Sequence, residues 1–68
     1  MQITAVLNPA EEGGYVAFNP ETGTTTQGET VEEALANLKE AVELYLEDED
    51  ITLSGPPLVT TLTILEHA

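Results

Sequence analysis

Apolar residues recur along this chain in two rhythms. Near the start Ile3, Ala5 and Leu7 alternate with Thr4 and Val6, a period of two that predicts a strand covered in part on both faces. Asn8-Pro9 is expected to end it, because proline cannot donate to a ladder and restricts the residue before it. Glu11-Glu12-Gly13-Gly14 reads as a turn that keeps its carboxylates in water. Tyr15-Val16-Ala17-Phe18, aromatic and β-branched, predicts a second strand in a hairpin with the first. After a turn at Asn19-Pro20-Glu21-Thr22-Gly23, the short polar run Thr24-Thr25-Thr26-Gln27 suits a third strand at an edge or on a wet face.

The rhythm then changes. Val31, Ala34, Leu35, Leu38, Ala41, Val42 and Tyr45 step by three and four, the stripe of a helix laid on a core. Leu44 and Leu46 lie off its centre, where they either mark a contact with another subunit or, the preferred reading, widen that face. Thr30 suits the N-cap, and Glu33 three residues later completes a capping box, a device typically worth about 1 kcal/mol. Glu29, Glu32 and Glu33 sit where the positive helix end favours them, whereas Glu47-Asp48-Glu49-Asp50 opposes the negative end and should stop the helix. Ser54-Gly55-Pro56-Pro57 reads as a stiff connector. Leu58–Leu65 is strand-prone, with Leu58, Leu62 and Ile64 on one face, Val59 and Leu65 on the other, and Thr60, Thr61 and Thr63 between. The predicted order is βββαβ in one domain spanning residues 1–68, an α+β fold with a single helix across one face of an antiparallel sheet.

Length sharpens this picture. A chain of 68 residues without cysteine buries only about 60% of its unfolded surface and has no disulfide to hold it. Oligomerisation is the expected remedy, as a dimer or tetramer, and an exposed edge strand offers a route to it. Charge adds more. Thirteen carboxylates face one Lys, Lys39, for a net charge of −12. Nucleic-acid binding draws on Lys and Arg to neutralise phosphates, so direct contact with nucleic acid is not expected, and an anionic membrane is disfavoured for the same reason. Two readings of the charge stay open: attraction of a basic partner, or simple solubility. No apolar run reaches the ~20 residues of a spanning helix, and the N-terminus lacks a basic signal-peptide start, so the cytoplasm is the expected location.

Catalytic chemistry finds little footing. The carboxylates lie in turns and at a helix end, with no sign of the desolvated pair that acid–base catalysis uses. The acidic run lacks the alternating oxygen ligands and glycine of a calcium loop, and His67 is the sole histidine. Ser54 is the sole serine, in a connector, and Gly13-Gly14 opens no phosphate loop. No enzyme activity, metal or cofactor is expected; a residual nuclease would need two or three clustered carboxylates holding magnesium.

Three segments in order resemble the HicB-like antitoxin family: Glu11–Ala17, Pro20-Glu21, and Thr26–Leu46, whose TQG-x-T-x-EEA-x-x-N-x-KEA opening is specific in combination. The resemblance covers roughly residues 1–47. It implies a truncated ribonuclease-H-like fold without catalytic carboxylates. It also implies a partner, a small basic HicA-like RNA-cleaving toxin that the domain covers. In that case Glu11, Glu12, Tyr15, Glu21 and Glu29 are the expected partner-binding residues; core is the alternative for Tyr15, and Phe18 is assigned to the core. Two departures stand out. The family's Pro-Glu-Leu-Pro-Gly-Cys-like segment is replaced after Pro20-Glu21 by Thr22-Gly23-Thr24-Thr25, which alters the loop at residues 19–25. A C-terminal DNA-binding domain, common in the family, does not follow, so autoregulation by direct DNA binding is not expected. The alternative is a solitary oligomeric scaffold or regulatory domain with no toxin partner.

Overall fold

The structure is a computed structural model and describes residues 2–48 and 57–65. Three strands, β1 (Val6–Pro9), β2 (Tyr15–Asn19) and β3 (Thr24–Gly28), form an antiparallel sheet in the order β1-β2-β3, followed by one helix, α1 (Val31–Asp48). Val6 pairs with Phe18 and Pro9 with Tyr15; Tyr15 pairs with Gly28 and Asn19 with Thr24. Strand period two therefore sets Leu7, Tyr15, Ala17, Asn19 and Thr26 beneath the helix, and Val6, Val16 and Phe18 on the opposite, open face.

The core is small. Ala17, Ala34, Leu38 and Val42 are buried, with Ile3, Leu7, Tyr15 and Leu46 packed around them. Ala34, Leu38 and Val42 recur at intervals of four, the centre of the expected stripe. Its flanks differ in part from expectation: Leu35, Leu44 and Tyr45 are exposed, whereas Leu46 packs against the core as expected. A sheet of three strands is too narrow to cover both flanks of an 18-residue helix. Phe18, assigned to the core from sequence, is 37% exposed, because its register position faces away from α1.

The helix is fastened to β3 by the residues of the TQG motif. The Thr26 hydroxyl donates to the Ala34 carbonyl (3.1 Å), and the Asn37 amide donates to the Gln27 carbonyl (2.8 Å). Between them, a Cβ built on Gly28 would lie 2.5 Å from the Ala34 nitrogen, so only glycine lets the helix approach this closely. At the helix start, the Glu33 amide donates to the Thr30 hydroxyl (3.1 Å), as a cap requires. The return bond differs from a standard capping box: the Glu33 carboxylate accepts from the Glu29 amide (3.3 Å), one residue earlier than Thr30.

Two expectations are corrected. β1 begins at Val6 and runs through Asn8 to Pro9. Pro9 is tolerated because β1 is an edge strand, where a missing N–H costs no ladder bond. The fifth element is absent among the described residues: 57–65 forms no strand, and the observed order is βββα. Leu58, Leu62, Ile64 and Leu65 are each at least 73% exposed. Strand propensity is a capacity to fit a pleated, half-buried surface, and here the segment lies against none. α1 reaches Asp48, within the acidic run expected to stop it. The rest of that run, Ser54–Pro56 of the expected connector, and His67 lie outside the described residues.

Candidate functional site

The five expected partner-binding residues divide into two groups. Glu12, Tyr15 and Glu29 meet in one cleft of about 420 Å³, where the β1–β2 turn, the end of β3 and the start of α1 converge. Ala10, Gly13, Gln27, Gly28 and Glu33 complete its lining. The turn is closed by two backbone bonds, Ala10 N–H to the Gly14 carbonyl (3.0 Å) and Gly13 N–H to the Ala10 carbonyl (3.1 Å). Gly14 has φ +78°, and a Cβ there would lie 2.6 Å from the Gly28 carbonyl oxygen. The two glycines let the turn and the strand end close together, which brings Glu12 within the same cleft as Glu29 and Glu33. Glu12, Glu29 and Glu33 are exposed, and Tyr15 is half-buried against the core. The lining gathers three carboxylates and a phenol in one cleft, a set of groups whose charge suits a Lys or Arg side chain.

Glu11 is exposed in the same turn and is not part of the cleft lining. Glu21 lies in the β2–β3 turn and is turned inward. Its carboxylate accepts from the Thr4 amide (2.8 Å), the Thr4 hydroxyl (3.1 Å) and the Asn19 amide nitrogen. Asn19, fully buried, also donates to the Thr4 carbonyl (2.8 Å) and accepts from the Thr22 amide (2.9 Å) and hydroxyl (2.7 Å). Since the Thr22 proton goes to Asn19, the Thr24 hydroxyl donates to Thr22 across 2.6 Å. The bond from the Thr4 amide is the largest cause; it outweighs desolvation, the next largest, and with the bonds from the Thr4 hydroxyl and Asn19 it holds the Glu21 carboxyl below its ordinary value of 4.5. The altered loop at residues 19–25 is thus a polar knot that pins the segment before β1 to the β2–β3 turn.

Sequence reasoning missed Gln27 and Glu33 as cleft residues. Both were legible only as strand and cap, and the signal that joins them to the cleft is the close approach at Gly14 and Gly28. Among the described residues, no group of three or more His, Cys, Asp or Glu is arranged to hold a metal ion. No helix among them is long and apolar enough to cross a membrane.

Comparison with known proteins places this chain in a family. Residues 4–57 match a family of unknown function (DUF7387). A UPF0150 protein of Synechocystis sp. is 45% identical over 67 residues, covering 94% of this chain and 93% of the relative. A UPF0150 protein of Helicobacter pylori is 53% identical over 49 residues, covering 71% and 67%. A protein named Antitoxin HicB 1, from Photorhabdus laumondii, is 45% identical over 62 residues; these span 82% of this chain and 40% of that longer protein. No solved structure matches. With a family model matched over residues 4–57, and a relative 45% identical over 94% of this chain, the chain belongs to the DUF7387 family and to the family of the UPF0150 proteins.

Proposed function

We propose that this domain is a protein-interaction module of the HicB antitoxin type, which binds and masks a small basic HicA-like RNA-cleaving toxin. The observation that carries the reading is the 45% identity to Antitoxin HicB 1 across 82% of this chain. The net charge of −12 supports it, because a strongly acidic surface steers a basic protein into encounter and keeps other acidic proteins away. The domain acts by covering its partner and performs no reaction itself; its place is the cytoplasm, where RNA is cleaved. The cleft of Glu12, Tyr15, Glu29 and Glu33 is the proposed docking point for a Lys or Arg of the toxin, with Glu11 at its margin. Glu21 is spent on the internal knot and contributes through the fold.

The test is co-expression with a HicA-like toxin encoded beside this gene. The expected result is restored growth and a complex that co-purifies and weakens as salt rises. Reversing Glu12 and Glu29 to Lys together should weaken the complex at least tenfold (about 1.4 kcal/mol) with the fold intact, since both side chains are exposed. Growth arrest despite co-expression, with no complex formed, would remove the antitoxin reading.

A further inference from the structure

Charge is distributed unevenly over the molecule. β1, β2 and β3 contain no Asp, Glu, Lys or Arg, and neither does the segment 57–65. All thirteen carboxylates lie in turns, in the helix or in the stretches beside the apolar segment. Exposed strand edges are normally guarded by charge, especially Lys, against pairing with another chain. Here both edge strands are unguarded by charge.

The two edges are not equivalent. α1 lies over β2 and β3, and Asn37 already occupies the Gln27 carbonyl of β3. At β1 the end of the sheet is apolar on both sides, with half-buried Leu7 on the helix side and half-buried Val6, beside Phe18, on the open side. A strand added there needs apolar residues on both faces. Segment 58–65 has them: Leu58, Leu62 and Ile64 on one, Val59 and Leu65 on the other. Yet it does not fold back onto its own sheet. Its only side-chain hydrogen bond among the described residues joins Thr60 to the neighbouring Thr61 carbonyl. The radius of gyration is 14.1 Å, against about 11 Å for a compact chain of this length, and the longest dimension is 47 Å.

From these observations we infer that residues 58–65 form a strand on the β1 edge of a second copy of this chain, and that the exchange is reciprocal across a twofold axis. Neutral strand meets neutral edge, so the dimer forms without opposing the carboxylates of one copy to those of the other at the seam. The exchange buries the large apolar side chains that a lone chain leaves in water, and it closes the β1 edge. It goes beyond the toxin-masking reading and uses a different surface, so either can fail alone.

Sedimentation of the full chain over a wide concentration range, without any toxin, is the first measurement. The expected species has the mass of two 7.3 kDa chains, and Leu62→Asp with Ile64→Asp should make it monomeric while the helical circular dichroism is retained. A monomer at every concentration, or a dimer indifferent to those substitutions, overturns the inference. The native chain lacks cysteine, so disulfide trapping is free of background. Separately purified Asn8→Cys and Thr60→Cys or Thr61→Cys proteins, mixed and oxidised, should give a mixed dimer. Bonding only within a chain carrying both substitutions would show folding back in cis, and bonding of Thr61→Cys only to itself would show segment-to-segment pairing; either contradicts the exchange.

Discussion

β3 and the segment 57–65 invite comparison, because sequence ranks them in the wrong order. Thr24–Gly28 is short, polar and ends in glycine, yet it forms a strand. Leu58–Leu65 is longer and richer in strand-prone apolar residues, yet it lies exposed without one. The difference is in partners rather than propensity. β3 is held by its ladder to β2 and by Thr26, Gln27 and Gly28, which meet Ala34 and Asn37 of the helix. The apolar segment has no such neighbour among the described residues. In a domain this small, one well-fastened contact decides whether a strand forms.

Substitutions at the fastening should separate the two regions most sharply. Gly28→Val drives a side chain into the Ala34 backbone and should cost more than about 3 kcal/mol. A 68-residue domain has roughly 3–10 kcal/mol in all, so urea denaturation should find this variant largely unfolded. Leu38→Ala, which hollows the centre of the core, should cost about 3 kcal/mol by the same measurement. Thr30→Ala removes the cap and should cost about 1 kcal/mol, with Thr30→Ser nearly neutral. The Glu21 knot yields a change of slope. Its folded pKa lies below its unfolded value, so the unfolded state binds more protons in the acid range. The stabilisation is present above the ordinary value of 4.5 and is lost as pH falls through the lower folded value. Glu21→Gln should therefore flatten the acid limb of a stability–pH curve. Smallest of all, Leu62→Ala should change the stability of dilute protein by less than about 0.5 kcal/mol, because the side chain is 79% exposed.

Much of the compact region was legible in sequence. Helix start, cap, central stripe and the second and third strands follow from local pattern, and three of the expected partner-binding residues, Glu12, Tyr15 and Glu29, do share a cleft. What escaped depends on contacts between distant segments. Glu21 looked like any surface carboxylate, because nothing in its neighbours announces Thr4, 17 residues away. Phe18 looked like core because its strand is, but register turned it to the open face. Proline at position 9 read as a stop, and only the edge location of β1 makes it acceptable. The TQG motif was legible as a family mark; its physical content, a glycine that admits Ala34 between two side-chain clasps, emerges only in the folded chain.

Amide hydrogen exchange, followed residue by residue at two protein concentrations, tests the contrast between these regions most directly. Amides of β2 and of residues 34–42 should be protected at both. Amides of 58–65 should exchange at nearly unfolded-chain rates in dilute protein and gain protection at high concentration, together with those of β1. Protection of 58–65 that is independent of concentration, or absent throughout, would contradict the view that this segment awaits a second chain.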